Sequence, residues 1–250
     1  MSRPRPLPVS ALAILLACAA APCAGADEVP EVRIIIPGER DAEWGSYRHA
    51  YKAAAFFSTF TRTRPLIQAH MQVRAINKTA SLEGLTIRLV GEHTDMMLPV
   101  DALGRAVLPL LKEPYQDDAV LRLNRSKGIY YFSGRYSVRE RDDGEYQASA
   151  LRAACDQLLD AQRASGYRMR LAGKRCAGVR FVYAATESNS PVTLQAGGAA
   201  PVVLPLVDGQ PFEGSSMGSY KIAVYRFADW PAEGRLLATR RPLAIGTVYE

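Results

Sequence analysis

Residues 86–110 read TIRLVGEHTDMMLPVDALGRAVLPL, and this stretch sets the fold class. Leu85–Val90 is a short apolar-rich run, Gly91–Asp95 a turn, and Met96–Val100 a second run. The turn Asp101-Ala102-Leu103-Gly104 then leads into Arg105–Leu110. Gly104 suits the left-handed position that ends a short hairpin loop. Short strands joined by tight turns pair antiparallel. The expectation is an α+β protein, mostly antiparallel β.

Upstream, Val32–Ile36 reads as a strand closed by Pro37-Gly38. Asp41 is a candidate N-cap for a helix carrying Trp44, Tyr47, Tyr51, Ala54, Ala55 and Ser58 at helical spacing, with Gly45 weakening its first turn. Pro65 stops it. From Leu66 the period becomes two. Ile67, Ala69, Met71, Val73 and Ala75 share one face, and Gln68, His70, Gln72 and Arg74 the other. Downstream, Val120–Leu123 and Ile129–Val138 read as strands, and Asp142-Asp143-Gly144 is a break. A second helix is expected over Tyr146–Ser165, with the stripe Leu151, Ala154, Cys155, Leu158, Leu159 and a stop at Gly166. Strands return at Val179–Ala184, Val192–Gln195, Val202–Leu206, Lys221–Phe227 and within Arg235–Tyr249.

The opening stretch has a counterpart. VTLQ at 192–195, AGGA at 196–199 and PVVLPL at 201–206 repeat its order, so that Leu98-Pro99-Val100 corresponds to Leu204-Pro205-Leu206 and Asp101 to Asp208. A helix and a strand precede each meander. The reading is an internal duplication: two helix-led, β-sandwich-like modules over residues 27–141 and 142–250.

Residues 1–26 read as a signal peptide. Arg3 and Arg5 precede the apolar run Val9–Ala21, no acid occurs before Asp27, and Ala24-Gly25-Ala26 is a small-residue cleavage site. The run is shorter than the roughly 18 residues a membrane span needs. Cleavage after Ala26 is expected. The rival is a bacterial lipobox at Leu15-Leu16-Ala17-Cys18, which would make Cys18 a lipid anchor. The expected location is periplasmic or secreted. Past residue 26 the chain loses two of its 31 basic residues and none of its 25 acids, leaving a mild positive balance. With no Lys/Arg run, nucleic acid is not an expected partner. Cys155 and Cys176 are the cysteines left after Cys18 and Cys23 depart with the leader. In an exported protein they are expected to form a disulfide.

Several candidate sites weaken on inspection. Gly214-Ser215-Ser216-Met217-Gly218 matches the nucleophile-elbow pattern, but no histidine follows Ser216, and a flexible Gly/Ser loop is the better reading. His49, His70 and His93 form no spaced set, so no metal site is expected. Asp117-Asp118 and Asp142-Asp143 sit beside turns, as turn formers do. No nucleotide fingerprint is present, and no cofactor is expected. One constellation keeps a functional reading. Arg135, Arg139 and Arg141 have strand spacing beside Tyr130 and Tyr136, a basic and aromatic set suited to an anion or a partner protein. The expected function is a non-enzymatic, exported binding or envelope-associated module whose partner is a protein or an anionic envelope component. The rivals are a hydrolase of an envelope polymer and an assembly or inhibitor protein offering a sheet edge.

Overall fold

The computed structural model describes residues 42–77, 80–214 and 217–250, which belong to one compact unit. The expected leader with Cys18 and Ala26, the Val32–Ile36 strand, Asp41 and Ser216 lie outside the described residues.

The first half of the chain runs β1 (Ala42–Ser46), α1 (Tyr47–Arg62), β2 (Ile67–Ala75), β3 (Ile87–Val90), β4 (Asp95–Leu98), β5 (Arg105–Ala106), α2 (Lys112–Gln116), β6 (Val120–Ser126) and β7 (Tyr130–Val138). The second runs β8 (Glu145–Gln147), α3 (Ala148–Gln162), a helical turn at Arg163–Tyr167, then β9 (Cys176–Tyr183) and β10 (Val192–Gln195). It continues with β11 (Val202–Val203), β12 (Leu206–Gly209), β13 (Tyr220–Arg226), β14 (Arg235–Ala238) and β15 (Ala244–Tyr249). Two four-stranded sheets, β1-β6-β3-β4 and β11-β10-β14-β8, flank a seven-stranded central sheet, β12-β13-β9-β15-β7-β2-β5. The pairing is antiparallel, so the α+β, mostly antiparallel class holds. The expected boundary at residues 141–142 falls between β7 and β8, and strands from either side of it share the central sheet. No helix among the described residues is long and apolar enough to cross a membrane.

Three local expectations are corrected. Trp44 and Gly45 belong to β1 rather than to the helix, because Ala42–Ser46 pairs with β6. The helix begins at Tyr47, capped by Ser46 Oγ, which accepts from the His49 amide at 3.4 Å. Likewise Tyr146 is in β8, paired with Leu236, and α3 starts at Ala148. In both places a ladder takes up residues whose spacing also fitted a helix. The run Val202–Leu206 is divided between two sheets. Pro205, which has no amide hydrogen to donate, stands at the break.

The alternation of β2 decides the layering. Ile67 and Val73 are fully buried toward the helices. One core joins Tyr47, Val73, Ile87, Leu89, Leu121 and Leu123, and a second joins Leu151, Leu158, Phe181, Val192, Leu194, Tyr225 and Leu236. Each fully buried aliphatic side chain contributes about 1.5–3 kcal/mol. The other face of the central sheet carries Gln68, His70, Gln72 and Arg74 from β2. Part of that face is covered by a smaller cluster of Leu103, Val182, Phe212, Met217, Ile222 and Ala244. Cys155 and Cys176 are disulfide-bonded as expected, with Cα atoms 6.0 Å apart. The bond ties α3 to the start of β9. Closing a loop of this length contributes roughly 3 kcal/mol.

Candidate anion-binding cleft

The cleft follows from how two central strands meet. β7 and β15 share one paired position, Val138 with Ile245. Beside it a cavity of about 270 Å³ opens, lined by Gly134, Arg135 and Tyr136 from β7 and Tyr249 from β15. Gly134 is required there, since a Cβ at that position would run into the Phe57 ring. The loop after β12 crosses the outer face of β15. A side chain at Gly246 would meet the Pro211 carbonyl at 2.6 Å. That crossing sets the Phe212 ring 4.6 Å from the Arg135 guanidinium.

The third wall is the connection from α3 to β9. Gly166 has φ 108°, which side-chain-bearing residues rarely adopt, and it turns the chain out of the helix. Arg163 Nη2 donates to the carbonyls of Leu171 (3.2 Å) and Lys174 (2.6 Å), which holds residues 171–174 to the helix end. Tyr167, Arg170 and Lys174 are thereby placed at the cleft.

Four cations line this space, Arg74, Arg135, Arg170 and Lys174, and none is in an ion pair among the described residues. The one lining carboxylate, Glu213, is held by Arg180 at 2.8 Å. Arg135 Nε donates to Gln72 Oε1 at 2.9 Å. Burial, followed by the nearby charge of Arg74, pulls the Arg135 pKa down to about 10. Arg74 Nε is buried without a hydrogen-bond partner. Burial pushes the Tyr136 phenol up to about 12, although a hydrogen bond with the Ser165 hydroxyl acts the other way. Ser165 Oγ itself donates to the Gln162 carbonyl at 3.1 Å. Buried donors left unpaired cost about 1–3 kcal/mol each. Cations converging beside a single carboxylate that is already paired elsewhere are the complement of an anion.

The expected residues divide. Arg135 and Tyr136 line the cleft. Tyr130 is buried at the other end of β7, where its hydroxyl donates to the Ser81 carbonyl at 2.6 Å. The strand ends at Val138, so the spacing that would align the three arginines stops there. Arg139 instead donates to the carbonyls of Pro65 (2.9 Å) and Ile67 (3.1 Å), and Arg141 pairs with Asp143. Arg74 was legible as a polar-face residue of β2. Nothing in the spacing marked Arg170, Lys174 or Tyr167, because a loop brings them in.

A larger cavity, about 710 Å³, is lined in part by Asp101, Ala102 and Tyr220. Asp101 and Tyr220 are already engaged there. Asp101 Oδ1 accepts from the amides of Leu103 (2.9 Å) and Arg105 (2.8 Å), and the Tyr220 hydroxyl donates to the Ala102 carbonyl at 3.4 Å. No family model, curated protein or solved structure matches the chain.

Proposed function

We propose that the protein is an exported, non-enzymatic binding module that takes a small multivalent anion, a phosphate or carboxylate compound, in the cleft between β7 and β15. The observation that carries this reading is the set of four cations without acid partners, one of which, Arg74, keeps a buried Nε with no hydrogen-bond partner. Export is supported by the leader sequence and by the disulfide, a bond that persists in oxidising compartments. Isothermal titration with pyrophosphate and, separately, with citrate tests the reading and distinguishes the two anion chemistries. One-to-one binding that weakens with salt is expected, reduced about tenfold or more in Arg135→Gln, since a hydrogen bond to a charged group contributes about 1.5–3 kcal/mol. Absence of saturable binding by either anion at millimolar concentration, or unchanged binding in the variant, overturns it.

We also read residues 42–138 and 145–249 as duplicated, sandwich-like modules. The flanking sheets support this, since β1-β6-β3-β4 and β8-β14-β10-β11 each use the first, the penultimate, the third and the fourth strand of their half, the second half having one strand more. The registers agree as well. Leu121 faces Leu89 as Leu236 faces Leu194, and Leu98 pairs with Ile87 while the Leu204 amide donates to the Val192 carbonyl. Each helix packs into a core shared by a flanking sheet and the central sheet. An experimental structure in which the halves do not superpose with this strand order would remove the reading.

A further inference from the structure

The hairpin turn between β3 and β4 carries Glu92 and His93, and the C-cap of α2 is Asp117. The sequence separates them widely, yet their ligand atoms lie within 4.8 Å of one another. Both pieces of backbone are fixed. The Gly91 amide donates to the Thr94 carbonyl at 2.7 Å, which closes the turn. A Cβ on Gly91 would sit 2.9 Å from that of Ala119, so the turn packs directly on the segment after α2. That segment is held in turn. The Asp117 amide donates to Glu113 (3.0 Å), the Ala119 amide to Pro114 (3.0 Å), and the Ala119 carbonyl accepts from Tyr47 (2.9 Å).

The two adjacent aspartates then part company. Asp118 has φ 56°, and its carboxylate pairs with Arg48 at 3.4 Å. Asp117 keeps only 19% of its side-chain exposure, and its buried Oδ2 has no hydrogen-bond partner. The nearest cationic candidate is His93 Nδ1 at 3.7 Å, beyond hydrogen-bonding distance. A buried carboxylate oxygen without a donor is costly, and it faces an imidazole and a second carboxylate.

We propose that Glu92, His93 and Asp117 bind a zinc ion. Zinc takes both imidazole nitrogen and carboxylate oxygen in four-coordinate sites, and one water would complete this set of three. The presence of imidazole and the small number of oxygens disfavour calcium, which takes six to eight oxygen ligands, and magnesium, which keeps its own waters. The ion would neutralise Asp117 Oδ2 and pin the β3–β4 turn to α2.

The test is titration of chelator-treated full protein with zinc chloride in a non-chelating buffer, with magnesium chloride as the comparison. The expected result is one equivalent of zinc bound, no magnesium heat, and a higher melting temperature with zinc. His93→Ala should weaken zinc binding more than tenfold, since losing even an outer-shell partner costs about 10–100-fold. Glu92→Gln, exposed and on the same turn, gives a second reading should His93→Ala fold poorly. His49→Ala should bind as the parent does. Zinc binding that survives both His93→Ala and Glu92→Gln, or no binding at 100 times the protein concentration, overturns the proposal.

Discussion

Two arginines on the outer face of the central sheet live in opposite surroundings. Arg105, from β5, is 6% exposed and fully provided with acceptors. It reaches Asp101 Oδ2 at 2.7 Å, Glu140 Oε1 at 3.1 Å, Ser137 Oγ at 3.2 Å and the Leu243 carbonyl. Glu140 is 7% exposed, and its other oxygen accepts from Gln68. Arg135, two strands away on β7, has one neutral acceptor and an aromatic ring, with further cations nearby. A buried cation matched by its acids is a structural tie between β5, β7 and the loop before β15. A buried cation held among other cations leaves the fold a debt that an anion can settle.

Removing the matched arginine should therefore have the largest effect. Arg105→Met leaves Glu140 and Asp101 without their counter-charge, with Glu140 buried. Breaking a buried pair by deleting one partner costs about 3–5 kcal/mol. Urea unfolding should show that loss as a lower midpoint with an unchanged slope. A loss below about 1 kcal/mol would mean that water already reaches the network, and the contrast between the two arginines would fail.

The next effect is gained rather than lost. A ligand that binds only the folded state stabilises it by about 2.7 kcal/mol at 100 times its dissociation constant. Pyrophosphate or citrate should raise the melting temperature of the parent protein, and chloride at equal ionic strength should not. Arg105→Met should retain the rise from its lower starting point, because Arg105 is not among the cleft-lining residues. Equal responses to chloride and to the multivalent anions would reduce the cleft to a general salt effect.

This contrast was only half legible in the sequence. The strands, the helix stripe of α3 and the Cys155–Cys176 bond follow from periodicity and from cysteine chemistry, which are local or combinatorial signals. The limits of α1 and α3 were not, because a three- to five-residue strand preceding a helix is decided by its distant partner, β6 or β14. The cleft is harder still. Arg135 and Tyr136 stood out by composition, but the walls come from the connection after α3 and the loop after β12. In the first half, Arg62 and Ile67 bracket the whole connection from α1 to β2. In the second, the connection extends from Arg163 to Arg175 and carries Tyr167, Arg170 and Lys174. Loops on a rigid scaffold are where binding residues gather, and their destination in space leaves no period to read. The same holds for Glu92, His93 and Asp117, which a turn and a helix end bring together.

The smallest effect on stability should come from the unmatched arginine. Burial and neighbouring cations depress the folded-state pKa of Arg135 to about 10, well below the ordinary arginine value. For a base, that sign means the charged group disfavours the folded state. The penalty is fully present at neutral pH and is relieved as pH rises through about 10, where the folded chain gives up the proton and the unfolded chain still holds it. Arg135→Gln removes the penalty at neutral pH. It also removes the hydrogen bond to Gln72, about 1 kcal/mol, and the stacking on Phe212, about 0.5–2 kcal/mol. These terms oppose each other, so the ligand-free variant should unfold within about 1 kcal/mol of the parent at pH 7. Its response to pyrophosphate or citrate should be gone. Measured side by side with Arg105→Met, it separates a residue kept for the fold from one kept for a ligand. A loss of 3 kcal/mol or more in Arg135→Gln would assign Arg135 to the structural class, and the cleft would then lack its central cation for any reason but packing.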